Sequence, residues 1–325
     1  MRIVLAVHDP PVWTLPDREV ARITAALPDD EVRVARSADA RRNTFPDADV
    51  ILTTRLTEAD FALARAVRWM HSTAVGVGAL LVPGVADSPV VISNSRGVHS
   101  EPIAEHAIAL VLALRRGLHL AVARQLERRW AQEELSARRV PALTGSELLV
   151  IGLGAIGLRV ARHGAALGMR VVGIRRRISE PAPEGVSRVR PPEALREALT
   201  TADAIVLALP RTGESQSLIG AAEFACMRPD AVLVNVARGR LIDETALIEA
   251  LGSGRIAGAA LDAFPREPLD PASPLWGLPN VLISPHVAPF GSDYWAPAVD
   301  LFLENVQRFK HGQPLLNVVD KAAGY

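Results

Sequence analysis

Short apolar runs alternate with segments of helical period along most of the chain. In the first hundred residues, RIVLAV (2–7), EVRVA (31–35), DVILTT (49–54), WMHSTAV (69–75) and PVVISN (89–94) have the length and β-branched content of strands. Residues 17–27 and 58–66 carry helical spacing between them. Strands separated by helices predict a parallel sheet, since each crossover returns the chain in the same direction. The alternation restarts with LLVIG (148–152), RVVGI (170–174), AIVLAL (204–209), AVLVNV (231–236), AGAALDAF (257–264) and NVLISPH (280–286). These runs are almost uninterruptedly apolar, the pattern of strands covered on both faces in a doubly wound sheet. Helices are predicted at 155–167, 193–199 and 243–252.

A long amphipathic helix is predicted from Ser100, which can serve as its N-cap. Pro102 falls in the first turn, and Ile103, Ala107, Leu110, Val111 and Leu114 form one stripe. The charged stretch 127–141, with its isolated Trp130, reads as a connecting arm. A last helical segment, 295–311, is expected to cross back to the first domain. The predicted fold class is α/β with two domains. A Rossmann-type doubly wound parallel sheet, residues 100–286, is inserted in a smaller flavodoxin-like α/β domain made of residues 1–99 and 287–325.

Composition narrows the chemistry. The 325 residues include 36 basic and 36 acidic side chains, so net charge supplies no reason for a nucleic-acid or membrane partner. Cys226 is the only cysteine, which excludes a disulfide framework and a multi-cysteine metal site, and no metal is expected. It reads as a buried small hydrophobe in a protein of a reducing, cytoplasmic compartment. The apolar start 1–7 runs into Asp9 and two prolines, too short for a signal sequence, and the stretch 108–114 is flanked by Glu105, His106, Arg115 and Arg116, so no membrane span is expected. Only Lys310 and Lys321 are lysines, leaving 34 of the 36 basic residues as arginine. No Lys follows a Gly-rich turn, no Lys stands four residues after Tyr294 or Tyr325, and a Schiff-base lysine would have to lie near the C-terminus. Acid–base and anion chemistry is left to His, Glu, Asp and Arg.

The strongest motif is Gly152-Leu153-Gly154-Ala155-Ile156-Gly157, directly after the strand LLVI and at the head of a predicted helix. In that setting the first Gly allows the turn, the second admits a pyrophosphate to the backbone, and the third permits close helix–strand packing. The next strand ends at Ile174, where an acidic residue would bind the ribose 2′-hydroxyl of NAD. The sequence continues Arg175-Arg176-Arg177 instead. Guanidinium forks there pair with a 2′-phosphate, which predicts a preference for NADP(H) over NAD(H); the plainer reading is a solvated basic turn.

Arg238 follows the strand AVLVNV, Glu267 follows AGAALDAF, and His286 ends NVLISPH. All three fall past the carboxyl ends of strands of one predicted sheet, where open α/β folds bind ligands. Each alone is an ordinary surface residue; together they suit 2-keto acid reduction. Arg238 can hold a carboxylate and polarise a carbonyl, His286 can exchange the proton, and Glu267 can orient the imidazole.

The segments GLGAIG (152–157), LPRTGES (209–215), NVARGRLIDETAL (235–247), ALDAFPREPLDPASPLW (261–276) and SPHVA (284–288), in this order and spacing, resemble the D-isomer-specific 2-hydroxyacid dehydrogenase family, which includes glyoxylate/hydroxypyruvate reductases and phosphoglycerate dehydrogenases. With the weaker segment 72–114 the likeness covers most of the chain. The resemblance implies Arg238, Glu267 and His286 as the catalytic set. It implies Leu209, Pro210, Val236, Ala237 and Asp262 on the nicotinamide half of the cofactor, with a purely structural Asp262 as the alternative. In Ala74-Val75-Gly76-Val77-Gly78 it implies a loop whose Val75 and Gly76 amides bind the substrate carboxylate. It further implies a homodimer through the arm at about 100–140, with Trp130 a candidate to reach the partner's site, and a small 2-keto or 2-hydroxy acid as substrate.

The sequence departs from the family at Arg175, where an acidic residue is usual, and after His286, where Pro289-Phe290-Gly291 replaces Gly-Ala-Thr. His71, Ser72, Thr73 and Trp295 are candidates for the substrate side, and His106 is expected to pack rather than react. A nucleotide-sensing corepressor-like protein on the same fold is the alternative of a different class. The complete Arg–Glu–His set argues against it, and Glu267 argues against a formate- or phosphite-type oxidoreductase, since the formate enzymes carry Gln there.

Overall fold

A computed structural model describes residues 1–8, 13–137, 142–178, 181–291 and 293–324. Asp9 with its two following prolines, the 138–141 end of the predicted arm, and Tyr325 lie outside these. The chain divides into two compact units, Met1–His99 with Gly291–Tyr325, and Ser100–Phe290. The first unit opens with β1 (Arg2–Leu5), α1 (Asp17–Ala26), β2 (Glu31–Val34), α2 (Ala38–Thr44), β3 (Val50–Leu52), α3 (Glu58–Leu63), β4 (Trp69–Ser72) and β5 (Val91–Asn94). The second contains α4 (Ser100–Arg115), α5 (Leu118–Leu126), α6 (Gln132–Ser136), β6 (Glu147–Ile151), α7 (Ala155–Ala166), β7 (Arg170–Ile174), β8 (Arg188–Arg190), α8 (Leu195–Leu199), β9 (Ala204–Leu207), α9 (Ala221–Cys226), β10 (Val232–Asn235), α10 (Glu244–Gly252), β11 (Gly258–Leu261) and β12 (Val281–Ile283). Helix α11 (Trp295–Lys310) belongs to the first unit again.

The first unit is a five-stranded parallel sheet in the flavodoxin-like order β2-β1-β3-β4-β5. Strand β4 shows how the pleat divides the core. Met70 joins Val4, Ile51, Phe45 and Leu80 on one face, while Trp69 points the other way and stacks on Phe302 of α11, ring centroids 5.6 Å apart.

The second unit is a seven-stranded parallel sheet in the order β12-β11-β10-β9-β6-β7-β8. This is the Rossmann-type doubly wound arrangement, with the order reversing at β6. The uninterrupted apolar strands have a direct cause, because each face is covered. Leu149, Ile151, Ile205, Leu207 and Leu233 pack beneath α8, α9 and α10. Leu148, Val150, Ala204, Val206, Val232 and Val234 pack against α4 and α7. Among the described residues, no single helix is long and apolar enough to cross a membrane.

Several elements differ from the expectation. Strands end earlier than their apolar runs; RIVLAV pairs only over Arg2–Leu5, and the remaining residues turn into loops above the sheet. Ser100 is the first helical residue of α4 rather than its cap. The arm contains α5 and α6, neither with a buried residue, and Arg124 and Arg129 bind Glu127 and Glu134 there. Strand β8 at the sheet edge reads Arg-Val-Arg, and α2, capped by Ser37, buries nothing; neither carries an apolar period. Cys226 is half-buried against the core rather than fully enclosed.

Candidate functional site

The turn after β6 stands at the switch point of the second sheet, and each glycine in it has a distinct steric role. Gly152 has φ +100, and a Cβ there would sit 2.7 Å from the Ala208 carbonyl oxygen. At Gly157 a Cβ would lie 1.8 Å from the Gly152 oxygen, so only glycine lets α7 approach β6 this closely. Gly154, the N-cap of α7, opens onto free space with nothing within 4 Å, and no side chain caps the helix. The first turn of α7, beginning at Ala155, thus starts from an exposed, uncapped glycine at the positive end of a twelve-residue helix. A pyrophosphate fits this cradle.

Arg175 and Arg176 follow β7 directly. Arg175 N donates to the Arg190 carbonyl at 3.1 Å and its Nη2 to the Pro181 carbonyl at 3.2 Å. Arg176 lies 3.8 Å from Glu214 in the loop after β9. That loop begins with Leu209 and Pro210 and is tied by Ser215, whose hydroxyl donates to the Pro210 carbonyl at 2.9 Å.

Arg238 is set by Asn235 at the end of β10. This fully buried amide accepts from Ala237 N at 3.0 Å and donates to the Arg238 carbonyl at 2.9 Å, which fixes the turn through Val236 and Ala237. Gly239 then lies so close to the next loop that a Cβ would meet the Phe264 carbonyl carbon at 1.9 Å. Burial draws the Arg238 guanidinium below its ordinary pKa; Glu267 opposes this shift and Arg211 adds to it.

Glu267 accepts from Phe264 N at 2.9 Å through one oxygen, and its other oxygen lies 2.7 Å from His286 Nδ1. Burial pushes this carboxyl upward, but the hydrogen bonds from His286 and Phe264, with the charges of His286 and Arg238, outweigh it and hold the group below its usual value. The two side chains are 36% and 37% exposed, so the pair is open to a ligand. His286 has φ +55, a left-handed conformation uncommon for a residue with a side chain.

Asp262 holds this conformation, the structural role open to it beside the cofactor one. The buried Asp262 carboxylate accepts from Val287 N at 3.0 Å, from Ala288 N at 3.2 Å and from the Ser284 hydroxyl at 2.5 Å. Because Ser284 donates to Asp262, its oxygen accepts from His106 Nε2 of α4, 2.8 Å away. His106 packs on the helix and also anchors the His286 loop. Ser284 and His106 are 178 residues apart in sequence, so no local motif joins them.

In the first unit, the loop 74–78 follows β4. Asn94 Nδ2 donates to the Val75 carbonyl at 2.7 Å and Ser95 N to the Ala74 carbonyl at 3.3 Å. The amides of Val75 and Gly76 meet no acceptor among the described residues. His71, Ser72 and Thr73 are fully buried, so they form core rather than an open wall; burial holds the His71 imidazole neutral, its pKa lowered to about 3. Trp295 is buried, and Trp130 is 90% exposed. Among the described residues, no three His, Cys, Asp or Glu side chains are grouped to hold a metal ion.

A switch-point glycine cradle, with Arg238 and a carboxylate–imidazole pair past neighbouring strands of one sheet, defines a dinucleotide-linked oxidoreductase. Comparison with known proteins makes this specific. Residues 108–288 match the profile of the D-isomer specific 2-hydroxyacid dehydrogenase NAD-binding domain. The glyoxylate reductase of Korarchaeum cryptofilum is 32% identical over 301 residues, 91% of this chain and 87% of its own. The D-3-phosphoglycerate dehydrogenase of Archaeoglobus fulgidus is 31% identical over 89% of this chain, which spans 55% of that longer protein. The D-isomer specific 2-hydroxyacid dehydrogenase of Xanthobacter autotrophicus, solved with NADPH and MES, superposes with a TM-score of 0.86 at 31% identity, covering 100% of this chain and 99% of that one. An NADPH-dependent glyoxylate/hydroxypyruvate reductase of Sinorhizobium meliloti, solved with NADP and sulfate, gives 0.85 at 27% identity, with 100% and 99% covered. The chain belongs to the D-isomer-specific 2-hydroxyacid dehydrogenase family, NAD(P)-dependent oxidoreductases acting on CH–OH donors.

Proposed function

We propose that the protein reduces a small 2-keto acid, such as glyoxylate or hydroxypyruvate, to the D-2-hydroxy acid with NADP(H) as preferred cofactor and NAD(H) as the weaker one. The observation that carries this reading is the 2.7 Å contact between His286 Nδ1 and Glu267, past the same sheet edge as Arg238. With Nδ1 held by Glu267, Nε2 is the ring nitrogen assigned to give a proton to the substrate carbonyl oxygen and to take it back in reverse. Glu267 holds the ring in orientation; Arg238 binds the substrate carboxylate and polarises the carbonyl. The nicotinamide, when bound, supplies or accepts the hydride.

Gly152, Gly154, Ala155, Ile156 and Gly157 would hold the pyrophosphate, and Leu209, Pro210, Val236, Ala237 and Asp262 the nicotinamide half. The uncommitted amides of Val75 and Gly76 support their role as donors to the substrate carboxylate. Arg175 and Arg176, in place of an acidic residue, support selection of the 2′-phosphate, as do relatives solved with NADPH or NADP. The exposed stripe Leu118, Val122, Leu126 and Trp130 supports a homodimer through the arm, and the single cysteine supports a cytoplasmic setting.

Oxidation of NADPH and of NADH against a series of 2-keto acids, from glyoxylate to phenylpyruvate, tests the reading. It expects turnover of small members and a kcat/KM at least tenfold higher with NADPH. A clear preference for NADH refutes the cofactor assignment. Absence of any turnover, with tight cofactor binding, refutes the activity and favours a nucleotide-sensing role.

A further inference from the structure

We propose that the substrate carries a second anionic group and that Arg211 and Arg240 bind it, an inference that rests on the 2-keto acid reading above. A cavity of about 370 Å³ is lined by Arg211, Arg238, Gly239, Arg240, Phe264 and Pro265, within the size range of small-molecule sites. Three of its six lining residues are arginines, and no Asp or Glu lines it. Arg211 and Arg240 have no carboxylate or other side-chain hydrogen-bond partner among the described residues. Arg33, Arg124, Arg159, Arg170, Arg196 and Arg308, by contrast, rest on carboxylates.

Charge and geometry together favour more than one anion. One carboxylate satisfies the single planar fork of Arg238. Two further guanidinium-bearing side chains, both exposed, border the same space with no carboxylate among the described residues as partner, and a second anionic group of the substrate can pair with them. Arg238 and Arg240 flank Gly239, whose contact with the Phe264 carbonyl fixes this turn against the neighbouring loop. Phe264 and Pro265 provide apolar lining for a short carbon chain between the two anionic ends. The second group is a carboxylate or a phosphate, and the substrate a dianionic 2-keto acid.

The test measures kcat/KM for 2-oxoglutarate, oxaloacetate and 3-phosphohydroxypyruvate beside the monoanions glyoxylate and 2-oxohexanoate. It uses the full chain and its Arg211→Gln, Arg240→Gln double variant, which keeps much of each apolar stem. The proposal expects at least one dianion to exceed 2-oxohexanoate tenfold or more; the better dianion tells carboxylate from phosphate. It expects the double variant to lose about 10- to 100-fold on that dianion and to keep glyoxylate within about threefold. Turnover of monoanions without a dianion preference overturns the proposal and leaves the 2-keto acid reading standing. An equal loss on every substrate overturns it as well. A raised dissociation constant for NADPH, with unchanged substrate ratios, assigns the arginines to the cofactor and overturns it too. No turnover of any 2-keto acid overturns the underlying reading and this proposal with it.

Discussion

Alanine substitutions at Gly157 and Gly154 should separate packing from ligand binding within one turn. At Gly157 the new Cβ would lie 1.8 Å from the Gly152 oxygen and 2.9 Å from its carbonyl carbon. Real Cβ contacts do not fall below 3.0 Å, so helix and turn must part by at least 1.2 Å, the difference of those two values. The obstacle is backbone and cannot rotate away. Overpacking of this kind costs about 3 kcal/mol, at the upper end of its usual range, or roughly 6–12 °C in the melting of a unit the size of Ser100–Phe290. Gly154→Ala meets nothing within 4 Å, and its φ of −82 suits alanine. Only the weaker cap is lost, under about 1 kcal/mol. Its methyl group nevertheless enters the space that a pyrophosphate needs, so NADPH affinity should fall tenfold or more, about 1.4 kcal/mol. Thermal melting and fluorescence titration with NADPH read the two effects. Wild-type affinity in Gly154→Ala would refute the anion cradle, and a wild-type melt in Gly157→Ala would refute the packing argument.

Three other substitutions probe the supporting contacts. Glu267→Gln leaves one oxygen for two donors, so a charged hydrogen bond is lost and kcat/KM should drop about 10- to 100-fold with little change in melting; a variant as active as wild type would remove Glu267 from the mechanism. Ser284→Ala strips a partner from both Asp262 and His106, so urea unfolding should show a loss of about 1–3 kcal/mol together with reduced kcat, and Ser284→Thr should recover both. His99 is buried against Tyr294, ring centroids 4.1 Å apart, and burial lowers its pKa to about 4. The unfolded chain takes up a proton near pH 6.5 that the folded one refuses until about pH 4, so stability falls as pH drops through that window, by about 3 kcal/mol in all from this group. His99→Phe should flatten the urea-derived stability profile there by about 1.4 kcal/mol per pH unit; an unchanged slope would contradict the assignment.

Both sheets were legible because burial on two faces leaves a strong signal. Strands β6, β9 and β10 are apolar at every interior position, each residue serving one or the other layer. The turn at 152–157 was legible because steric necessity writes itself as glycine at fixed spacing. Arg238, Glu267 and His286 could be located as strand-end residues by the motifs around them. Strand β8 was not legible, since an edge strand of Arg-Val-Arg is paired by its backbone and covered on neither face by an apolar stripe. Nor were the supports of the site. Asn235 reads as the polar end of a strand until its amide is seen closing the Arg238 turn. His106 reads as a helix residue until Ser284 and Asp262, from two other segments, arrive beside it. His71 precedes a glycine-rich loop, a position that suggests the substrate side; the pleat instead turns it into the core against Ser93. Contacts made only by tertiary approach have no local period to reveal them.

In the proposed reaction His286 passes the proton to a 2-keto acid carbonyl. The most direct test is steady-state NADPH oxidation by wild type and His286→Ala with glyoxylate and hydroxypyruvate, alongside thermal melts. Loss of a general acid predicts a fall in kcat of about 10²- to 10⁴-fold, with unchanged melting temperature and unchanged NADPH affinity. A folded His286→Ala protein that turns over either substrate within tenfold of wild type would contradict the account.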